Sequence, residues 1–431
     1  MPASRRWIYG SPAKKHVIFL GAGASATSGY PLANELTFLM CDPLTFRKRL
    51  EEEVGNEGNP DGINPKSLSD FVQRYVGSTP AIDFLREGDF ATMDELSKHF
   101  FGGEHAAKIR ELKKRMRLAL AFGNPFRTHY AISDYRFFIQ KLFVNGPLRQ
   151  DVKILSFNYD PYFEWRLYRA FLSRWGAATH LIKPPTWMPR AIHSGLDDAN
   201  DLGWLGEEGF CHLKLHGACV FPTRDHNKPS MLPIQPNVSP HLEAKYLFAF
   251  NVFARLTSLC QPPLSNEEPP AILPWEIVHE TETKLLTESE FKTAVGSDWQ
   301  HCSLYPLFRG IWERARREVQ SADKISFVGL SFGEYMEPGL RYLFNGKAGD
   351  IQMVIANRET PKFKGREEHP NSPSSRVYQM LTERCGLKAR VFGSFSEFEA
   401  TQVEDYRTEE HEPTMTCHEF FKDFIKAEMQ S

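Results

Sequence analysis

The chain has 431 residues, 41% hydrophobic and 25% charged, enough for one large domain with insertions or for two ordinary ones. Its 52 basic and 54 acidic side chains nearly cancel to a formal net charge of −2, so no overall field favours nucleic acid or an anionic membrane. Seven cysteines, Cys41, Cys211, Cys219, Cys260, Cys302, Cys385 and Cys417, are scattered without a C-x-x-C pair, which argues against a structural zinc site and for a reducing compartment. The opening "MPASRRWIYGSPAKK" is basic but lacks an apolar signal-peptide core, and no run is long and apolar enough to span a bilayer. The expectation is a cytoplasmic protein without membrane contact.

Residues 17–40 begin with the buried-strand run "VIFL", stop at the glycines of "GAGAS", and pass into "PLANELTFLM", whose apolar spacing is helical. Gly21 and Gly23 admit close approach of backbone to a phosphate, and the following helix start would offer it N–H groups; a tightly packed strand-to-helix turn would use the same glycines. From 41 to about 144, segments such as "SLSDFVQRYV" and "EHAAKIRELKKRMRLALAF" repeat apolar residues every three or four positions, the pattern of a helical insertion. "DVKILSFNYD" predicts a strand ending near Phe157, followed by the aromatic helical stretch "PYFEWRLYRAFLSRW". Asn158 and Asp160 therefore stand at a strand end, where Asp160 before Pro161 also fits a helix N-cap.

"FCHLKLHGACVF" alternates Cys211, Leu213 and Leu215 against His212, Lys214 and His216, a strand with both histidines on one face and a turn at Gly217. A lone histidine there would ordinarily be a packed strand-end residue. Prolines crowd residues 221–299, as in "QPPLSNEEPPAILPW", and mark a second, irregular insertion. "LFRGIWERARREVQSA" predicts a helix with a basic outer face, "KISFVGLSFGEYM" a strand breaking at Gly329, and "DIQMVIANRETP" a further strand. After "CGLKARVFGSF" the tail, 401–431, reads as polar and helical, and no internal repeat or low-complexity tract is present.

Strands ending in glycine or polar residues and followed by helices predict an α/β domain over 11–400, a doubly wound and mostly parallel sheet. Ligands of such sheets bind beyond the carboxyl ends of the strands, here after Leu20, Phe157, Leu215, Val328 and Ala356. The basic runs "RELKKRMR" and "RGIWERARR" fit solvated helix faces, so no direct nucleic-acid binding is expected. Cys211, Cys219, His212 and His216 fit no zinc spacing, and no metal is expected.

Five stretches, "GAGASATSGYP", "SFNYD", "KLHG", "VGLSF" and "IANRET", stand in this order at the predicted strand ends, and together they resemble the motifs of the sirtuins. The resemblance implies a Rossmann-like fold with NAD as substrate. Gly21, Ala22, Gly23, Ser25, Gly329 and Ser331 would surround its phosphates, Asn357 its adenosine-side ribose and Asp160 the nicotinamide carboxamide; Asn158 and His216 would be catalytic. Two departures matter. Leu32, Ala33 and Asn34 stand where sirtuin deacylases carry Asp-Phe-Arg, and the zinc-binding C-x-x-C pairs of their small zinc-ribbon domain are absent.

The pattern is therefore similar to the sirtuin-like NAD-hydrolysing proteins of bacterial defence against phage. It implies a regulated NAD glycohydrolase that releases nicotinamide and ADP-ribose. It also implies a homo-oligomer, with a partner subunit such as a hexameric ATPase or an Argonaute-like protein. A non-catalytic NAD or ADP-ribose sensing module and a protein deacylase or ADP-ribosyltransferase are the alternatives. Cleaving the nicotinamide–ribose bond builds oxocarbenium character at the anomeric carbon, so a site needs an oriented water and a rigidly held ribose. An Asn158 amide can orient the water, and His216 can take up a proton from a ribose hydroxyl.

Overall fold

The computed structural model of the protein describes residues 15–26, 30–41, 116, 120, 134–142, 149–160, 163, 210–217, 305–333, 335–347, 351–357, 373–387, 389–392, 415–416, 420, 422 and 424. Most of the helical insertion expected at 41–144, all of the proline-rich one at 221–299, and the helix expected after Asp160 (Phe163 excepted) lie outside them.

The first βα unit forms as its sequence dictates: the apolar run His16–Leu20 is β1, and the glycine turn leads into the short helix α1, Ala22–Ala26, then α2, Ala33–Cys41. After α3, Asp134–Lys141, come β2, Val152–Ser156, and β3, Cys211–Lys214. The long helix α4, Tyr305–Gln320, feeds β4, Lys324–Val328, and α5, Met336–Phe344, feeds β5, Ile351–Asn357. Helix α6, Pro373–Gln379, ends in a π-helical turn, Met380–Arg384, before β6, Ala389–Phe392, and the two-residue β7, Met415–Thr416.

The sheet runs β3-β2-β1-β4-β5-β6, and every pairing among the described strands is parallel. This is the doubly wound strand order whose direction reverses between β1 and β4. The outer edge of β5 is shared: β6 pairs with Ile351 to Val354, and β7 with Ala356 and Asn357. Strands buried on both faces need apolar side chains at consecutive positions, which is why "VIFL" carries no alternation with polar residues, while β4 buries Ser326 by bonding it to His16.

On one face Val17, Phe19, Leu155, Leu213, Ile325, Phe327, Met353 and Ile355 pack against Ile311, Trp312, Ala315 and Val319 of α4, Leu340 and Phe344 of α5, and Leu381 of the π turn. Phe19 anchors it, with ring centroids 4.8 Å from Phe327, 5.9 Å from Phe157 and 6.2 Å from Phe344. Each such buried ring contributes about 1.5–3 kcal/mol by transfer from water, and each ring pair about 1 kcal/mol more. On the other face His16 bonds Ser326 Oγ at 2.8 Å. The tail reaches that face: Phe424 lies 4.9 Å from Phe138 of α3 and 6.5 Å from His16. The segment read as a polar helix thus gives the sheet a strand and the core two buried rings, Phe420 and Phe424.

Helix α4 corrects one expectation. Its arginines do not form a uniform outer face: Arg314 is buried in an ion pair with Glu318 at 2.5 Å, and Arg316 lies over the Tyr342 ring at 4.9 Å, leaving Arg317 exposed. The reason is the buried Glu318 carboxylate beneath the sheet. Lys153 points to this side, and Lys15 reaches Glu318, so the carboxylate needs to sit inside with cations on both flanks. No helix among the described residues is long and apolar enough to cross a membrane.

His16, His212 and His216 are all buried, and burial pushes each imidazole below its ordinary value. The unfolded chain therefore binds more protons than the folded one once the pH drops below about 6.5. Stability from these groups is complete above that pH and declines below it, by up to about 1.4 kcal/mol per pH unit for each histidine. Urea denaturation should give a clearly lower midpoint at pH 5.5 than at pH 7.5; equal midpoints would mean that the folded chain protonates these rings freely.

Candidate functional site

The turns after β1 and β4 touch. Gly21 N–H donates to Val328 C=O, and Gly23 N–H to Gly329 C=O, both at 2.9 Å. A Cβ on Gly23 would lie 2.8 Å from Gly329 Cα, and one on Gly21 would lie 2.4 Å from Gly329 O. Gly329 has φ +68°, and a Cβ there would fall 2.1 Å from Ala24 N. All three glycines are thus required by contact between two loops. The amides of Gly21, Gly23 and Ala24 bond within the protein's own backbone, Ala24 N–H to Gly21 C=O at 2.9 Å.

Helix α1 then turns Ser25 into the interior, where it is fully buried. Its hydroxyl donates to Asp160 Oδ2 at 2.8 Å and accepts from Asn158 Nδ2 at 3.3 Å. Asn158 is anchored from below as well, its N–H donating to Ser156 Oγ at 3.1 Å. With Nδ2 turned to Ser25, Asn158 Oδ1 faces the other way, buried and without a hydrogen-bond partner among the described residues. Such a buried acceptor costs about 1–3 kcal/mol while unmet, which a ligand proton donor would recover.

His216 follows β3 in a turn closed by Gly217 N–H to Lys214 C=O at 3.0 Å. That turn takes it out of the strand's alternation, and the two histidines expected on one face meet different neighbours. His212 packs tilted against Phe163 with ring centroids 4.4 Å apart, whereas the His216 ring lies 5.0 Å from Phe157 and 5.4 Å from Tyr159, the residues flanking Asn158, and 6.3 Å from Tyr335. His216 Nε2 is buried and has no hydrogen-bond partner among the described residues. Burial in this aromatic collar lowers its pKa to about 3, so the ring is neutral throughout the physiological range.

The remaining sequence candidates sit further along the sheet's upper edge. Ala22 is half-buried and Ser331 exposed, flanking the paired glycine turns. Asn357, buried at the end of β5, stands two strands from β1, about 10 Å away at the usual strand spacing. Ser25, Asn158 and Asp160 form one bonded group and His216 borders it through Phe157 and Tyr159, whereas Ser331 follows β4 and Asn357 ends β5, further along the sheet. Leu32 and Ala33 open α2, with Leu32 N–H bonded to Glu35 Oε2 at 2.8 Å. Among the described residues no His, Cys, Asp and Glu side chains gather as a metal site, and burial pushes the Cys211 thiol up to about 12, far from thiolate chemistry.

Two residues here are not identified by their sequence pattern. Lys214 is fully buried and its Nζ donates to Asp160 C=O; Trp312 Nε1 donates to Leu215 C=O at 3.1 Å. For Trp312 the signal was its place among the apolar positions Ile311, Ala315 and Val319 inside a run read as basic. No family model matches the chain, and no curated protein matches it.

Ser25→Ala leaves the Asp160 carboxylate and the Asn158 amide without their shared hydroxyl and should cost about 1–3 kcal/mol in chemical denaturation. Gly329→Ala forces a Cβ into the Gly23–Ala24 peptide and should cost roughly 3 kcal/mol or abolish folding. A Gly329→Ala protein as stable as the parent would show that the two turns do not interlock.

Proposed function

We propose that the protein is an NAD glycohydrolase, converting NAD and water into nicotinamide, ADP-ribose and a proton. One observation carries the reading: Ser25 fixes the Asn158 amide so that its Oδ1 stands buried and unmatched among the described residues, as does Nε2 of His216, whose ring lies against Phe157 and Tyr159, the residues flanking Asn158. Asn158 Oδ1 is an acceptor, and Nε2 of a neutral His216 accepts when Nδ1 carries the proton; a hydrolytic site needs such atoms for a water and a sugar hydroxyl. They stand beyond the carboxyl ends of β2 and β3, on the edge of the sheet that binds ligands in such folds and beside the β1–β4 crevice where the strand order reverses.

In this reading the C–N bond to nicotinamide breaks with both electrons leaving on the nicotinamide nitrogen. Asn158 Oδ1 accepts a hydrogen bond from the water whose oxygen bonds the anomeric carbon, and the released proton passes to solvent. His216 accepts a hydrogen bond from a ribose hydroxyl. With a pKa near 3 it orients that hydroxyl and does not retain its proton, a narrower role than the sequence suggests. The Asp160 carboxylate is assigned to the nicotinamide carboxamide. Gly21, Ala22, Gly23, Gly329 and Ser331 are assigned to the phosphate side and Asn357 to the distal ribose. For the glycines this means shaping the floor, since the amides of Gly21, Gly23 and Ala24 bond internally.

Leu32, Ala33 and Asn34 in place of the Asp-Phe-Arg of the deacylases that the motifs resemble are the reason to prefer hydrolysis over protein deacylation. A regulated, NAD-depleting role in cytoplasmic defence against phage, carried out by a homo-oligomer with a partner subunit, follows by analogy with the proteins that the motifs resemble. NAD sensing without turnover is the second reading, favoured by the reluctance of His216 to hold a proton.

Purified protein incubated with NAD should release nicotinamide, resolved by chromatography, and Asn158→Ala and His216→Ala should each lower the rate by about a hundredfold. Full activity in both variants would place the chemistry elsewhere; NAD bound but unchanged would favour sensing. Because His216 is neutral far below neutrality, kcat/KM should show no inflection near pH 6.5. An inflection there that vanishes in His216→Ala would show that the ring titrates normally.

A further inference from the structure

We infer that Trp312 and Lys214 are positioning residues of this site: from outside it they hold the two main-chain carbonyls, Leu215 and Asp160, that set where His216 and the Asp160 carboxylate stand. Its kinetic arm rests on the NAD-cleavage reading; its structural arm does not.

Trp312 is the bulkiest of the fully buried side chains among the described residues. An indole has one N–H and no acceptor, so a buried tryptophan needs one well-placed partner. That partner is Leu215 C=O, 97 residues away in sequence, on the peptide that joins Leu215 to His216. Leu215 N–H donates to Ser156 C=O at 2.8 Å, and Gly217 N–H donates to Lys214 C=O at 3.0 Å. The main chain on either side of His216 is therefore held by β2, by the turn and by α4. The ring projects from this support into its aromatic collar.

Lys214 repeats the arrangement for Asp160. An ammonium in a fully buried side chain is costly unless it meets acceptors, and its Nζ donates to Asp160 C=O. The Asp160 carboxylate is set by Ser25 from one side while its own peptide is set by Lys214 from another. The two supports come from different elements, α4 and β3. Neither side chain bonds Asn158 or His216 directly, which makes them positioning residues and not catalytic ones.

A misplacement of the order of 1 Å at a reacting group costs about a hundredfold in rate, so removing either support should be read in kcat. Trp312→Phe keeps most of the ring and deletes the N–H; Lys214→Met keeps the stem and deletes the ammonium. Each should lower kcat by about ten- to a hundredfold while KM for NAD moves less than about threefold. Trp312→Phe should cost nothing further in a His216→Ala background, nor Lys214→Met in an Asp160→Ala background, because a support is worthless once the group it holds is gone. The same fold-loss in both backgrounds overturns the inference.

A second measurement needs no NAD turnover. The His216 imidazole signal, recognised in histidine-labelled protein by its loss in His216→Ala, should stay neutral down to about pH 5 in the parent and titrate toward about 6 in Trp312→Phe, as the loosened turn admits water. A ring that remains neutral at pH 5 in Trp312→Phe overturns the positioning role. A parent protein that releases no nicotinamide overturns the NAD-cleavage reading; the titration then decides the role of Trp312, and urea denaturation decides that of Lys214, where additive losses in Lys214→Met, Asp160→Ala and the double variant overturn it.

Discussion

The contact between the β1 and β4 turns governs the upper end of this sheet. Gly23 and Gly329 approach so closely that neither has room for a methyl group, and the backbone there bonds to itself across the point where strand order reverses. A wider turn on either side would lift α1 away from β4 and carry Ser25 with it. The position of Ser25 decides which way the Asn158 amide faces. The chain of dependence therefore runs from steric fit between two loops to the direction in which a single acceptor points.

Burial sets the chemistry as firmly as position does. Ser25, Asn158, Asp160 and His216 are all inside the protein, so each hydrogen bond among them acts in a medium where a missing one is costly. The same low polarity makes His216 a neutral acceptor and suppresses its role as a proton store. The aromatic series Phe327, Phe19, Phe157 and His216 links that behaviour to the core, because the rings that stabilise the sheet are those that keep water from the imidazole.

Much of this was legible in the sequence, and for identifiable reasons. Doubly buried strands must be written as short apolar runs, so "VIFL", "KILS", "KISFV" and "IQMVIAN" revealed the α/β sheet and the ends where Asn158, His216 and Asn357 stand. The glycines of "GAGAS" were legible as close-approach residues, but a sequence does not say what approaches: here it is Gly329, and the Ser25 hydroxyl that follows them bonds the Asp160 carboxylate. Lys214 and Trp312 left no such trace. Their partners are backbone carbonyls, which every residue possesses, so no pattern of side chains marks the pairing. Arg314 was misread for a related reason, since its burial depends on where Glu318 and Lys15 arrive in space.

The strand β7 has a consequence for the order in which the protein is made. Thr416 pairs with Asn357, so the neighbour of this candidate site residue is synthesised 59 residues after it, and Phe420 and Phe424 later still. Until those residues are added, the edge beside Asn357 lacks its last neighbour. The β5 edge at Asn357 is therefore closed by sequence far downstream of it, and β1 to β6 do not by themselves complete the sheet there.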